Sequence, residues 1–306
     1  MHNRTPLPPG LGREAFTVAQ ARAAGISDKR RRSSDIEHPF WGICVAVGGI
    51  ENLMDRCRAY SQRMPENAFF SHTTAALLYG MPLPRSFEAD QRVHVSVVAP
   101  ARALRARGVI GHTAEDSGRV NQVAGLPVLD PVDTWCQLAA TLQRDDLVAA
   151  GDHLLRDEFG LASSAGIMEA VGQHSGRRGA RGLRDAAALI RPRVESRRET
   201  LLRLFLLQCG FPEPDTNIYI PLPPGKPRVR GDLVYLRYRV LVEYDGEQHR
   251  IDDVQYNRDA ERLHDLRTAG WLVITVRKGS TPHWVRVAVA EALRARGWQP
   301  TLARPR

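Results

Sequence analysis

Val, Leu and Tyr crowd into two short runs, Asp232 to Leu236 and Val240 to Tyr244, on either side of a tight turn. At this length such runs favour strand over helix, and together they predict a hairpin. Strand side chains alternate between faces, so Glu243 and Asp245 share one face while Val242 and Tyr244 point into a core. With the turn centred on Arg237 and Tyr238, Asp232 lies directly opposite Glu243. Cross-strand partners have Cβ atoms roughly 4.5–5.5 Å apart, so the two carboxylates converge.

Around the hairpin the pattern takes a helical period. Ser196 to Gly210 reads as a helix with Ser196 and Glu199 as a capping box, an apolar face of Leu201, Leu202, Phe205 and Leu206, and Gly210 as its stop. Pro221 to Pro227 is a loop delivering the chain to the hairpin. Gln255 to Ala269 reads as a second helix with Leu263 and Leu266 inward and Arg258 and Arg262 four apart on one face. Gly270 ends it, Trp271 to Val276 is an apolar strand, and Val285 to Arg296 is a last helix. The order helix, hairpin, helix, strand, helix predicts a mixed α/β layer of about 100 residues, an ordinary domain size.

Upstream, Phe16 to Gly25 reads as a short helix with Thr17 as N-cap and Gly25 as stop. Ser27 or Asp28 caps a second short helix carrying Lys29, Arg30, Arg31 and Arg32. Phe40 to Val47 follows as a strand, so helix, turn, basic helix and strand predict a winged helix-turn-helix. Asn67 to Gly80 reads as a helix. Ser71 and His72 near its start have no acid or base placed for triad chemistry, and His72 is read as structural. Arg92 to Val98 alternates as a half-buried strand, Arg102, Arg105 and Arg107 make the next segment basic, and Leu126 to Leu138 runs from strand into helix near Pro131. Leu147 to Leu155 continues the helical pattern. Asp133, Asp145, Asp146 and Asp152 read as surface or capping acids.

These elements divide the chain into a loose tail (1–12), a winged-helix-like domain (13–65), an α/β middle domain (66–172), a Gly/Arg-rich basic linker (173–194) and a C-terminal α/β domain (195–300). The expected fold class is therefore mixed α/β throughout.

Composition sharpens this picture at two points. The 306 residues carry 43 basic and 34 acidic side chains, a formal net charge of +9, and the pI is near 9.9. A basic balance of this size points to a polyanionic partner, nucleic acid before membrane. The four cysteines, Cys44, Cys57, Cys136 and Cys209, are far apart and lack CxxC spacing, so they indicate neither zinc nor a disulfide framework. No apolar signal segment opens the chain, and no run approaches the roughly 20 apolar residues of a membrane helix. A cytoplasmic location without membrane contact is the expectation.

Three acids on one face of an otherwise apolar hairpin are costly unless a cation sits among them. A hard divalent ion, Mg²⁺ or Mn²⁺, held by one or two carboxylates and water, is the natural candidate.

From Ser196 to about Trp298 the sequence resembles the PD-(D/E)XK nuclease superfamily, and more closely its branch related to the very-short-patch-repair (Vsr) endonuclease. The residues that carry the likeness are the Glu199 helix, Asp232 opening one strand, Glu243-Tyr-Asp-Gly-Glu-Gln-His249, Arg258-Asp-Ala-Glu-Arg262, and Gly270-Trp before an apolar strand. The resemblance implies a restriction-endonuclease-like α/β domain in which Asp232 and Glu243 bind the metal. Glu199 would be a supporting acid, and Asp259 and Arg262 would brace the site. The superfamily's lysine should stand two residues after the glutamate, where this chain has Asp245. His249 would take over its role, with Lys278 a second candidate.

The N-terminal half is similar to the winged-helix and second domains of AbiEi-type antitoxins, DNA-binding repressors. That likeness rests on Phe16 to Gly25, on Ser71-His-Thr-Thr-Ala-Ala76 and on Pro127-Val-Leu-Asp-Pro-Val-Asp-Thr-Trp135. The usual basic wing is absent, because His38-Pro-Phe-Trp-Gly-Ile-Cys44 stands in its place.

Two functions follow as expectations. In the first, the protein is a metal-dependent deoxyribonuclease, a hydrolase with an N-terminal DNA-binding module. Lys29 to Arg32, Arg258, Arg262 and Lys278 contact DNA, and His249 orients the attacking water. In the second it is a repressor or antitoxin that keeps a nuclease-like fold for binding, and a cognate toxin or a repair or defence factor is its partner.

Overall fold

A computed structural model describes residues 6–8, 11, 14–115, 118–223, 226, 228–246 and 253–300, apart from the side chains of 253–260. The chain forms two compact units. The first comprises Met1–Leu142 and Ala165–Ala180, the second Gln143–Ser164 and Arg181–Arg306.

The first unit opens with β1 (Phe16–Thr17), α1 (Val18–Ala23), α2 (Asp28–Arg31), β2 (Ile36–Glu37) and β3 (Ile43–Ala46), the strands forming a sheet in the order β1-β3-β2. Thr17 and Gln20 cap α1 reciprocally, each side chain accepting from the other's backbone N–H. Gly25 stops it at a φ of +74° that only glycine adopts freely. Ser27 caps α2 by accepting from the Arg30 N–H. Phe16, Ala21, Ile26, Ile36 and Cys44 fill a small core, and Leu7 and Leu11, from the stretch expected to be a loose tail, pack against it.

A larger α/β layer follows, built from α3 (Leu53–Ser61), β4 (Ala68–Phe70), α4 (His72–Leu78), α5 (Arg85–Glu88), β5 (Val93–Val98), β6 (Val109–Ala114), β7 (Val120–Val123), β8 (Leu126–Leu129) and α6 (Pro131–Leu138). Its five strands run in the order β6-β5-β4-β8-β7. The expected single helix over Asn67–Gly80 is instead a strand followed by a helix. Ala68, Phe69 and Phe70 are all buried, as a central strand requires. Such a short apolar run carries no period that separates it from a buried helical turn.

The second unit contains α7 (Arg144–Leu154), while α8 (Ser164–Gln173) returns to the first. It continues with α9 (Ala180–Ala187), α10 (Arg197–Gln208), β9 (Asp215–Ile220), β10 (Val229–Tyr235), β11 (Val240–Asp245), α11 (Asp253–Thr268), β12 (Leu272–Arg277) and α12 (Pro282–Ala295). Strands β9 to β11 form an antiparallel meander, and β12 joins β11 in parallel at the edge. Both faces are covered. Leu202, Leu206, Leu233, Val242 and Val289 form one core, and Val234, Leu241, Leu266 and Trp271 the other.

Two expectations are corrected here. The stretch 173–194 is not a linker: α9 lies within it and buries Leu183 and Ala186 completely. Asp152 is not a surface acid, being 1% exposed and paired with Arg203 of α10. Among the described residues, no helix is long and apolar enough to cross a membrane.

Candidate functional site

The hairpin of β10 and β11 has the register that places its two acids together. Leu233 pairs with Val242, Val234 with Leu241 and Tyr235 with Val240, so the next step of the ladder sets Asp232 opposite Glu243. The connection differs from the expected two-residue turn. Leu236–Tyr238 form one turn of 3₁₀ helix, and Arg239 takes a left-handed conformation at φ +48° before β11 begins. Leu236, expected at the end of a strand, is therefore 47% exposed.

Asp232 is mostly buried and accepts a hydrogen bond at Oδ2 from the Tyr244 N–H, at 2.9 Å. Burial pushes its carboxyl up to about 7, and the nearby Glu199 and Glu243 carboxylates push the same way. The Tyr244 hydrogen bond and Arg262 oppose them. This acid is thus poised near neutrality, where a group can both hold and release a proton.

Glu243 is clamped by Arg262 of α11 through both guanidinium nitrogens, Nη1 donating to Oε2 at 3.0 Å and Nη2 to Oε1. The same Nη2 donates to the Arg230 carbonyl at 3.0 Å, which ties α11 to β10. Glu199 enters from the first turn of α10. Ser196 caps that helix, but the reciprocal arm of the expected capping box is shifted by one residue: Glu199 Oε2 accepts from the Glu195 N–H at 3.1 Å. The same oxygen accepts from Asn217 Nδ2 at 2.6 Å. Asn217 lies on β9, where the ladder with β10 skips the step beside Asp232, and its φ of +47° is a conformation Asn tolerates better than most residues. Asn217 is the member of this site that sequence reading missed. A lone Asn within Asp-Thr-Asn-Ile-Tyr-Ile carries no signal until β9 is placed beside β10.

The remaining expected residues spread out. Asp245 pairs with Arg277 across the parallel β11–β12 register, Nε donating to Oδ2 at 3.0 Å. Lys278 is exposed just beyond β12. His249 and the side chains of Arg258 and Asp259 lie outside the described residues. In the first unit the basic helix is only half available. Arg30 is bidentate to Asp35 at 2.9 Å on each arm, and Arg31 pairs with Asp28, while Lys29 and Arg32 are exposed. The β2–β3 hairpin, without basic residues at its tip, presents Trp41 at 76% exposure with the Arg63 guanidinium 4.4 Å above its ring.

The oxygen donors of Asp232, Glu243 and Glu199 are of the type that binds hard divalent ions, while Asp232 is raised chiefly by its burial, with the two neighbouring carboxylates adding to it. Arg262 neutralises one of the three, so an ion would have to share Glu243 with it.

No protein-family model matches the chain, and no solved structure matches it. It is similar to two uncharacterized proteins of Mycobacterium tuberculosis, from two strains, each 26% identical over 251 residues that cover 81% of this chain and 88% of the relative.

Proposed function

We propose that the protein is a DNA-directed phosphodiesterase of the PD-(D/E)XK type whose second unit carries the hydrolytic site. The observation that carries this reading is the placement of Asp232 opposite Glu243 on adjacent strands, with Glu199 close enough to raise Asp232 further. Asp232 and Glu243 would hold Mg²⁺ or Mn²⁺, with Glu199 in support. The ion, when bound, supplies an activated water and offsets charge on the scissile phosphate. Asp232, near neutrality, exchanges its proton for the ion. Arg262 holds Glu243 in place, and its planar fork is also suited to a phosphate. Lys29 and Arg32 of α2 give the first unit its phosphate contacts. His249 remains the proposed substitute for the missing lysine, because Asp245 is engaged with Arg277.

A second reading has a specific observation of its own. Arg262 on Glu243 and Arg277 on Asp245 offset two of the acids without any metal. This favours a DNA-binding repressor or antitoxin that keeps the fold and not the hydrolysis. Incubation with plasmid and single-stranded DNA in Mg²⁺, Mn²⁺ or EDTA separates the two. The nuclease cleaves with metal, stops in EDTA and is lost in Asp232→Asn. Absence of cleavage together with no calorimetric Mg²⁺ or Mn²⁺ binding leaves the repressor.

A further inference from the structure

The first unit holds a cluster of a different chemistry, and nothing in the nuclease reading uses it. His72, His94 and His112 each bring one ring nitrogen within 4.8 Å of the other two. Strand pairing is what assembles them. His94 on β5 and His112 on β6 lie on adjacent parallel strands, where Ser96 pairs with His112, so His94, Ser96 and His112 share one sheet face. Val93, Val95 and Val97 alternate with them and fill the core on the other face.

His72 arrives from the strand beyond. Ser71 extends the β4–β5 ladder by donating its N–H to the His94 carbonyl at 3.1 Å, and α4 begins immediately after it. The backbone is held at both histidines: the His94 N–H donates to Thr74 Oγ1 at 2.8 Å, and the His72 N–H to Gln137 Oε1 at 3.0 Å. His72 itself has a φ of +51°, a conformation that costs energy and persists where its surroundings impose it.

The three rings lie against one another. His94 Nδ1 and His112 Nε2 face each other at 3.0 Å, and the ring of His72 stacks on that of His112 with centroids 3.7 Å apart. Two imidazole nitrogens bound tetrahedrally to one Zn²⁺ at about 2.0–2.1 Å would be about 3.3 Å apart, so that pair needs only a slight opening. Ser71 stands at the N-cap position of α4 yet makes no capping hydrogen bond. Its Oγ lies 3.0 Å from His72 Nδ1 and accepts from Ser96 Oγ at 2.7 Å, both serines being sealed from solvent. With Nδ1–H of His72 donating to Ser71, Nε2 keeps its lone pair. A ligating histidine characteristically has such an outer partner for its second nitrogen.

We propose that His72, His94 and His112 form a three-histidine site for a divalent transition-metal ion of the Zn²⁺ class, with Ser71 orienting His72 from behind. Neutral imidazoles suit zinc and its neighbours and not the hard Mg²⁺, so this site and the carboxylates of the second unit select different ions. All three rings are partly exposed, and among the described residues no fourth His, Cys, Asp or Glu joins them. Three protein ligands leave a coordination position for water or an exogenous donor, the arrangement of an open zinc site. The histidine expected from the sequence to be structural is thereby reassigned as a ligand.

The test uses the tag-free full-length chain stripped with a chelator and titrated with Zn²⁺ against a chromophoric competitor, and separately with Co²⁺. The site binds one equivalent of Zn²⁺ and gives Co²⁺ the intense visible bands of a low-coordinate nitrogen site. His94→Gln and His112→Gln abolish stoichiometric binding, whereas His283→Gln, outside the cluster, retains it. If the glutamine variants melt without cooperativity, Ser71→Ala decides, because it leaves all three rings in place. Its Zn²⁺ affinity should fall about 10–100-fold. The proposal is overturned by an unchanged affinity in Ser71→Ala, by a stoichiometric equivalent that survives loss of His94 and His112, or by binding no tighter than that of surface groups.

Discussion

Arg203 and Asp152 are both shut off from solvent, at 0% and 1% side-chain exposure, and meet with an N–O separation of 3.1 Å. Asp152 also accepts from the Thr200 hydroxyl at 2.8 Å and the Arg191 N–H at 2.6 Å, while Arg203 donates to the Leu189 carbonyl at 2.8 Å and to Glu213 at 3.3 Å. Burial still pushes the Asp152 carboxyl up to about 6, against the pull of all these partners. Removing one member of such a pair leaves the other buried without its counter-charge. Arg203→Met should therefore destabilise the second unit by roughly 3–5 kcal/mol. Asp152→Asn should cost less, since the amide still hydrogen-bonds and Glu213 still offsets Arg203. Urea titrations measure both, and equal losses would contradict this account of the pair.

The same pair sets the domain boundary. Because Asp152 lies on α7, a fragment spanning residues 190–306 strands Arg203 in a core without its main partner. It should fail to melt cooperatively, whereas residues 143–306, which keep α7 beside α10, should show a single transition by calorimetry. Cooperative melting of the 190–306 fragment would show α7 to be dispensable.

Asp232 makes the stability of the metal-free chain depend on pH. Its folded value of about 7 lies above its ordinary 3.8. The group binds its proton more tightly when folded, so its stabilising contribution is complete below about pH 4 and is lost as pH rises through about 7. The expected loss is about 2–4 kcal/mol. Asp232→Asn should flatten that slope, and Mg²⁺ should restore stability near neutral pH in the parent alone, because the ion binds the folded site. Melting curves across this range with and without Mg²⁺ check it, and an unaltered slope in the variant would remove Asp232 from the explanation.

For DNA binding the four basic residues of α2 should not act alike. Lys29→Ala with Arg32→Ala should weaken binding and lower the slope of log K against log salt by about 2, one for each phosphate that is no longer neutralised. Arg30→Ala breaks the Asp35 pair and should lower the melting temperature, with a smaller change in salt slope. Fluorescence anisotropy at several salt concentrations distinguishes them, and identical slopes in both variants would exclude α2 from the interface.

How much of this was legible before folding depends on the sequence distance over which each feature is decided. Asp232 facing Glu243 could be read directly, because a hairpin with alternating faces admits few registers and a one-residue slip would bury the acids' whole face. The longer 3₁₀ connection through Arg239 preserved that register. The caps at Thr17, Ser27 and Ser196 are likewise local, since each side chain bonds a backbone N–H three residues away. The short strand at Ala68–Phe70 was not legible, because a three-residue apolar run has no period and becomes a strand only through its neighbours β5 and β8. Arg203 with Asp152, 51 residues apart, and Asn217 with Glu199 depend on which helices and strands pack together. The three histidines show the same limit most sharply. His72 reads as structural within its own segment and the other two carry no signal in theirs, and only the side-by-side pairing of β4, β5 and β6 turns them into one cluster. Hydrogen bonding along the backbone and the alternation of faces were therefore decided by the sequence itself. Which distant polar groups share a burial site was decided by tertiary packing, because desolvation and pairing act on neighbours in space and leave no periodic trace along the chain.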